Sequence, residues 1–531
     1  MAELKTTESL GLPSSCRPLS QQNRKNHYNI SSAKPPILKL HNDILWWIFW
    51  LNADMEDEAE EEDTIAAIDT LRYSSQVCSV WRHVILSFSS LWGQVINLSH
   101  LEHDDWREEV LRRTGRSLLS VLWVYPGAGR LSENLAAEIL RSYWNRIRWL
   151  ELDFTSIRWG NNFNIAQFWE IFQRPSEVLE AFRVFFHRKD RNPSLIISPS
   201  DFVVFNNLAP ALRVFFAPNI KFKLDAPWLG NIRFLALNGQ VSAYDVIQAI
   251  PHMPLLECLT DETSAIACSG DARHALFSLP QITAPSIKEI ILLSYKDMGR
   301  YMDFLAQIKP AAGCYLTFSH TGLTPDAKTL TLANEVLYTY SRCCDFPNAN
   351  YISLDLDDNH FNVEVQVPGK GQFCFEIRPH QSFRCNVVEA LFAALPSVEF
   401  QELTVNPETL EFLLNLPGDI LALSFPVLHT VEIPRYLMEE ELSTIKQFLT
   451  SRISIGRPVG VLSIPIDLNC YKDSDLRSLE ELTGLTIILQ YGGKKHEHTC
   501  GNGCVEDLLI PCTRRQWDSD SSSSRSSSES L

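Results

Sequence analysis

Long hydrophobic segments are missing from this sequence. No stretch reaches the roughly 20 apolar residues that a membrane-spanning helix needs. The most apolar stretch, ILWWIFWL at 44–51, covers only about 12 Å as a helix. No secretory signal pattern occurs at the N-terminus. We therefore predict no membrane partner.

Basic charge and a paired cysteine framework are also lacking. The 531 residues include 47 Lys and Arg against 64 Asp and Glu, which gives a formal net charge of −17. Such a charge repels the phosphate backbone of nucleic acids. The 13 cysteines are odd in number and scattered, unlike the dense framework of a secreted domain. We predict no nucleic-acid partner and a cytoplasmic or nuclear location.

Motifs for bond chemistry are missing too. The sequence has no G-x-x-x-x-G-K-[ST] loop, no G-x-S-x-G elbow and no H-E-x-x-H pair. HEHTCGNGC at 496–504 contains zinc-ligand residue types, but their spacing fits no common pair of motifs and favours a Gly-rich loop. DLDDNH at 355–360 lacks the later Gly and Glu of a calcium loop. We predict a non-enzymatic protein without cofactor or metal.

Composition divides the chain into four parts. Residues 1–34 are polar without periodicity and residues 513–531 are rich in Ser and acidic residues, so both ends are predicted to be disordered. Residues 35–97 predict a helical module interrupted by an acidic insert at 53–63. Residues 98–512 predict a repeat array.

The helical module begins with a helix that is apolar on every side. Asn42 or Asp43 can cap this helix, and Ile44, Trp47 and Leu51 recur at the spacing of one helical face. Because other apolar residues cover the remaining faces, the helix must be buried all round. Two further short helices are predicted, and about 50 ordered residues cannot easily surround the first one. We therefore expect a partner protein to cover it.

Two segments of this module, LHNDILWWIF at 40–49 and SQVCSVWRHVILSFSSLW at 75–92, resemble the F-box. That family has a Leu-Pro-x-Glu-Ile-Leu start, a Val-Cys-x-x-Trp centre and a Leu-Trp close. The chain is also similar to the F-box-like proteins of mushroom-forming fungi, which often continue into irregular leucine-rich repeats. His41 stands where the family has proline, and so lacks the fixed φ of that residue.

The resemblance implies a role in a cullin-based ubiquitin ligase. The module would dock onto the Skp adaptor, which joins it to the cullin scaffold, and the rest of the chain would capture an unknown target protein. The adaptor contacts implied by the resemblance are Leu40, Ile44, Leu45, Ile48, Phe49, Val77, Cys78, Trp81, Leu91 and Trp92.

From Ile147 onward a short phrase recurs: one apolar residue, two variable, one apolar, one variable, one apolar. It occurs as IRWLEL at 147, LEAFRV at 179, LRVFFA at 212, IRFLAL at 232, LECLTD at 256, IKEIIL at 287, YISLDL at 351, FQELTV at 400, LHTVEI at 428, VGVLSI at 459 and LTGLTI at 482, with a degenerate unit near CYLTFS. Its alternation predicts a strand whose apolar face only a neighbouring unit can bury. The predicted fold is therefore α/β: an F-box-like three-helix module followed by an irregular leucine-rich-repeat solenoid with outer helices.

Alternation on both sides of a Gly-containing turn predicts a β-hairpin at about 361–377. On the strands, residues between the inward positions should face the concave surface, and Glu151, Arg183, Asp355 and Glu432 are predicted to contact the target. The alternative function is a repeat-based interaction scaffold with no ligase role.

Overall fold

The computed structural model describes most of the repeat region and most of the helical module. The described residues are 36–53, 55, 65–124, 133–154, 165–186, 198–199, 201–237, 241–261, 280–344, 346, 349–357, 359–367, 371–380, 388, 391–395, 400–416, 425–434, 441–465, 477–491 and 494–503. The leader and tail predicted to be disordered, and nearly all of the acidic insert, lie outside these residues.

Four helices begin the described chain: α1 (Asn42–Leu51), α2 (Ala67–Val77), α3 (Ser79–Ser87) and α4 (Ser89–Gln94). The sequence predicted three, and Val77 belongs to the apolar pattern of the third in the prediction. Val77 instead ends α2, because Cys78 is extended and its Sγ accepts a hydrogen bond from the Trp81 amide, which caps α3. Phe88 is also extended and separates α3 from α4.

The remaining helices alternate with strands along the chain. They are α5 (Asp104–Arg113), α6 (Glu133–Tyr143), α7 (Ala166–Phe172), α8 (Ala243–Ala249), α9 (Met298–Ala306), α10 (Ala327–Cys343), α11 (Pro407–Asn415) and α12 (Glu441–Ser454). Short 3₁₀ helices occur at Pro36–Lys39, Leu98–His100, Trp144–Arg146, Val204–Asn207, Pro227–Asn231, Ile250–His252 and Arg477–Glu481. In the described part of the chain, none of the helices has both the length and the hydropathy to cross a bilayer.

The strands are short, and the distances between them along the chain are irregular. They are β1 (Ile96–Asn97), β2 (Leu119–Val124), β3 (Ile147–Phe154), β4 (Ala181–Phe186), β5 (Val214–Phe216), β6 (Phe234–Ala236), β7 (Cys258–Asp261), β8 (Ile282–Thr283), β9 (Glu289–Ser294), β10 (Ile308–Lys309), β11 (Tyr315–His320), β12 (Tyr351–Asp357), β13 (His360–Val367), β14 (Gly371–Ile377), β15 (Glu402–Val405), β16 (Thr430–Glu432), β17 (Val461–Pro465), β18 (Thr486–Tyr491) and β19 (Lys494–Thr499).

Seventeen of these strands form one large, mostly parallel sheet among the described residues. Each strand from β1 to β7 pairs in parallel with the next, and β9 and β11 follow. Beyond the hairpin described below, β12, β15, β16, β17 and β18 also pair in parallel. The protein is therefore mixed α/β with an open sheet, and β8 pairs with β10 apart from it.

Every occurrence of the recurring phrase overlaps one of these strands, and CYLTFS overlaps most of β11. The alternation works as expected, since Leu150, Ile290 and Leu354 are buried while the residues on either side of each along its strand are partly exposed. Ring contacts connect the buried face to the helices: Phe182 meets Phe172 of α7 at 5.1 Å. Helices therefore cover one face of the sheet.

The segment predicted to be a hairpin forms β13 and β14, which pair antiparallel. The hairpin does not project from the array. β14 pairs in parallel with β11, and β13 pairs antiparallel with β12, so the hairpin fills the sheet between two strands of the repeat series.

One predicted loop is a strand. His496–Thr499 belongs to β19, which pairs antiparallel with β18 at the end of the sheet. The prediction was wrong because the residues of β19 that point toward the buried face include His498 rather than aliphatic side chains. A hydrophobic periodicity does not detect such a strand.

Candidate interaction surfaces

Helix α1 is apolar on all sides, and the structure covers about half of it. Leu45 and Phe49 are fully buried, and the Phe49 ring meets Trp81 of α3 edge-on at 5.1 Å. Trp46 is half-buried against Trp50, with its indole N–H directed at the Ser90 hydroxyl at 3.3 Å. These contacts attach α1 to α3 and α4.

The opposite side of α1 remains open. Ile44, Trp47 and Leu51 are 49%, 57% and 70% exposed, and Ile48 between them is partly buried. Their i, i+3, i+4 and i+7 spacing places them on one side of the helix. We call these four residues the α1 apolar face. Large apolar side chains grouped in this way make this side of α1 a candidate contact surface.

The predicted adaptor contacts divide into two groups. Leu40, Ile48, Cys78 and Trp81 are partly buried, and Ile44 and Val77 are exposed. Leu45, Phe49, Leu91 and Trp92 are instead buried inside the protein itself. These four side chains form the core of the helical segment, so a partner can reach only the first group without repacking it.

Trp92 connects this core to the neighbouring helices through a hydrogen bond and ring contacts. Its indole N–H donates to the Ile85 carbonyl at 2.9 Å, and the Arg113 guanidinium lies 4.4 Å from its ring centre. The Trp106 ring meets it edge-on at 6.3 Å. Trp92 therefore joins α4 to both α3 and α5.

At the entry to α1, the structure compensates for the missing proline. His41 has φ of −63°, the value that a proline ring would impose, and its Nδ1 accepts a hydrogen bond from the Asp43 amide. The helix begins at Asn42, so His41 is the cap rather than the predicted Asn42 or Asp43. His41 thus begins the helix with the φ of a proline although it is not one.

The open face of the sheet, opposite the helices, carries the predicted target contacts. Register pairing places Glu151 beside Arg183, and Thr404 beside Glu432. Asp355 lies two residues further along its strand, on the same face. The four residues therefore lie on the side of the sheet that the alternation predicted. Asp355 is two residues out of line with the others, because Ser353 rather than Asp355 pairs with Thr404.

Contacts near β3 and β4 combine charge with an aromatic ring. The Arg183 guanidinium lies 4.8 Å from the Trp149 ring centre and 3.5 Å from a Glu151 carboxylate oxygen. Burial raises the pKa of Glu151, and the attraction of Arg183 opposes this shift. On the same face, Phe216 contacts Phe185 at 5.0 Å and Phe234 at 5.8 Å.

A charged network crosses the hairpin on this face. The His360 ring lies 3.0 Å from Asp355 and 3.2 Å from Glu376, and the Ser319 hydroxyl donates to Glu376 at 2.6 Å. Burial lowers the pKa of His360, but the two carboxylates outweigh it and raise the pKa to about 9. The His360 hydrogen bond lowers the pKa of Glu376 to about 2. His360 is therefore an imidazolium between two carboxylates.

Two aspartates of the calcium-like sequence at 355–360 already have partners within the protein. Asp355 accepts a hydrogen bond from the Asn406 side chain as well as facing His360, and Asp357 accepts from the Asn359 amide at 2.6 Å. The aspartates thus belong to β12 and its turn, where protein groups satisfy them.

Outside these surfaces, the described residues include a cleft of about 790 Å³ whose lining contains Asp225, Asp245, Gln248 and His252. Asp245 accepts a hydrogen bond from Ser242 within the cap of α8. Among the described residues of this cleft no nucleophile lies in hydrogen-bond contact with a base, so we assign no chemistry to it.

Comparison with known proteins adds little. No protein-family model matches the chain, and no curated protein matches it. Among solved structures, the chain is similar to a Bacteroides fragilis protein whose crystal structure came from the Northeast Structural Genomics Consortium. The identity is 11%, the match covers 69% of this chain and 86% of that chain, and the TM-score is 0.24. At that TM-score the likeness carries no argument about fold or function.

Proposed function

We propose that this chain is a substrate-recruiting subunit of a cullin-based, SCF-type ubiquitin ligase. The helices α1–α3 would be an F-box-like module that docks on the Skp adaptor. The observation that carries the proposal is the α1 apolar face, because Ile44, Trp47 and Leu51 are exposed in the very helix that resembles the start of the F-box. Docking would remove this apolar surface from water, which favours association.

The sheet would be an irregular leucine-rich-repeat solenoid. Support comes from the recurring phrase, since its occurrences form strands that pair in chain order, each burying its alternate residues against the next unit. A repeat array of this kind presents a long surface for protein recognition. In this proposal the open face of the sheet binds the target, and helices α1–α3 bind the Skp adaptor of the ligase.

Recruitment requires no bond chemistry from this chain. Holding the target and the ligase core on one body converts their encounter into an intramolecular event with a high effective concentration. A lysine of the target would then lie near the charged ubiquitin carrier.

The charge of the open face favours a basic target surface. Carboxylates outnumber cations on the strand positions of this face; the acidic residues are Glu151, Asp153, Glu289, Asp355, Asp357, Glu364, Glu376, Glu402, Glu432 and Glu497. Arg183, Lys495, Arg378 and the protonated His360 are the cations there. Complementary charge would speed the encounter with a Lys- and Arg-rich target.

Copurification with the Skp adaptor of the native host tests the docking step. Ile44→Asp and Trp47→Asp alter exposed positions, so the variants should fold while losing at least about tenfold in adaptor recovery, as expected for one buried apolar side chain of about 1.5–3 kcal/mol. Leu323→Asp is the matched control, since Leu323 is 70% exposed but lies far along the chain. Equal recovery of all variants would remove the docking proposal.

The alternative is a repeat scaffold that binds a partner without any ligase. It is favoured by the burial of Leu45, Phe49, Leu91 and Trp92, which makes the helices a cap on the first strands. Trp50 likewise lines a cavity of about 220 Å³ shared with Leu122 of β2. A chain that binds a target through its open face but recovers no adaptor would support this alternative.

A further inference from the structure

The last strand places three potential metal ligands on one side of the chain. In β19, His496 pairs with Leu489 and His498 with Ile487, and both β18 partners are fully buried. Side chains of paired residues lie on the same face of a sheet, so both imidazoles point away from the open face. Cys500 continues this alternation, with its amide donating to the Leu485 carbonyl at 2.8 Å.

A carboxylate from another element meets these residues. Glu480, in the 3₁₀ helix Arg477–Glu481, lies with one oxygen 2.8 Å from the His498 Nε2. The ligating atoms of Glu480, His498 and Cys500 all lie within 4.8 Å of one another. His498 is 4% exposed and Cys500 2% exposed, so the cluster is shielded from water on the side of the strand.

The following turn positions the carboxylate. The amides of Gly501 and Gly503 donate to the second oxygen of Glu480 at 2.8 and 3.3 Å. Gly501 has φ of +85°, and a Cβ there would come within 2.7 Å of the Thr483 side chain. Glycine is therefore required for the turn that holds Glu480 against His498 and Cys500.

We propose that Glu480, His498 and Cys500 form a zinc site that fastens the end strand of the sheet. A carboxylate, an imidazole and a thiolate are the ligand types that zinc prefers, at about 2.0–2.3 Å. Tetrahedral ligands at that radius lie roughly 3.3–3.8 Å apart, and the three ligand atoms here all lie within 4.8 Å of one another. Water completes the tetrahedron.

Zinc would also change the protonation of the cluster. Without metal, burial beside Glu480 raises the pKa of the Cys500 thiol to about 12. Coordination requires the thiolate, so zinc binding releases a proton. The spacing of the cysteines and histidines alone could not reveal the site, because Glu480 joins from a separate element.

Metal analysis of the full chain tests the site. After equilibration with zinc chloride and desalting, the wild-type chain should retain about one zinc per chain, and His498→Gln and Cys500→Ser should retain almost none. Cys258→Ser is the matched control, since Cys258 is also buried but lies in β7. Cobalt in place of zinc should give thiolate-to-metal charge-transfer absorption that Cys500→Ser abolishes.

Thermal melting separates a metal site from a simple hydrogen bond. A chelator should lower the melting temperature of the wild-type chain and leave that of Cys500→Ser unchanged. Zinc retained equally by the wild type and Cys500→Ser would be an adventitious ion only and would overturn the proposal. No retained zinc, with melting insensitive to chelator, would also overturn it and leave the Glu480–His498 contact as a hydrogen bond alone. Neither result depends on adaptor docking.

Discussion

Apolar side chains are buried along the strands of the sheet but partly exposed on helix α1. Along the strands, each buried residue has a neighbour in the next unit to cover it, as Phe182 has Phe215 at 5.7 Å. Helix α1 has more apolar faces than neighbours, and Trp47 and Leu51 remain exposed. Apolar surface in the array therefore stabilises the fold, whereas on α1 part of it is available for binding.

Truncating one ring in each region should show the largest contrast. Phe182→Ala leaves a cavity among Phe172, Phe205 and Phe215 and should lower the free energy of unfolding by about 3–5 kcal/mol. Trp47→Ala should change it by less than about 1 kcal/mol, because the side chain is mostly exposed. Urea denaturation measures both. Comparable losses would show that Trp47 is structural.

The charged network on the hairpin should give the next largest effect. His360→Gln removes the cation between Asp355 and Glu376 and should lower the free energy of unfolding at pH 6 by about 2–3 kcal/mol. His252→Gln, at an exposed position, is the control and should be neutral. An effect of His360→Gln no larger than that of the control would show that the network adds no stability.

The pH dependence of this network follows from its pKa shifts. The pKa of His360 rises from 6.5 to about 9 on folding, so its stabilisation is complete below pH 6.5 and is lost as the pH rises through 9. The pKa of Glu376 falls from 4.5 to about 2, so its stabilisation is present above pH 4.5 and is lost toward pH 2. The difference between wild type and His360→Gln should therefore shrink between pH 7 and 10 in urea denaturation series.

On the open face, the ion pair of Glu151 and Arg183 should matter less. The pair is partly exposed, and a double-mutant cycle with Glu151→Gln and Arg183→Gln should give a coupling of about 0.5–1 kcal/mol. Raising the salt concentration should reduce this coupling. If the coupling energy does not fall as salt is added, the ion pair is less accessible to solvent than its exposed fraction indicates.

The smallest effect is expected at the entry to α1. His41→Pro matches the φ of −63° already present, which should add about 0.4–1 kcal/mol through the unfolded state, offset by the lost Nδ1 cap. The net change in melting temperature should be small and adaptor recovery unchanged. A large destabilisation would show that His41 makes a contact that proline cannot replace.

Much of the sheet could be predicted from sequence because its strands depend on a local pattern. The phrase located β3, β4 and their successors, since alternation directly reports which residues a neighbour will bury. The same phrase is present in LSVLWV at 119–124 and could have located β2 as well. Strand β19 was not predicted, because its buried side chain, His498, contacts a carboxylate and gives no hydrophobic alternation.

The candidate surfaces were harder to predict. On a helix that is apolar all round, the sequence cannot distinguish Leu45 and Phe49, which face α3, from Ile44 and Trp47, which face outward. That choice depends on where α3 and α4 pack, and Cys78 and Phe88 set their directions through extended backbone. The acidic character of the open face likewise could not be predicted, because its carboxylates come from strands that are distant in sequence and that only the sheet register brings together.

The hairpin of β13 and β14 shows how extra strands can be inserted within such a sheet. Its two strands lie inside the sheet, one running each way, and the units that follow keep the direction of those before. A single strand inserted through a tight antiparallel turn would reverse every later unit. Insertions made through tight turns should therefore bring interior strands in pairs, whereas a whole repeat unit carries its own crossover and can add one strand.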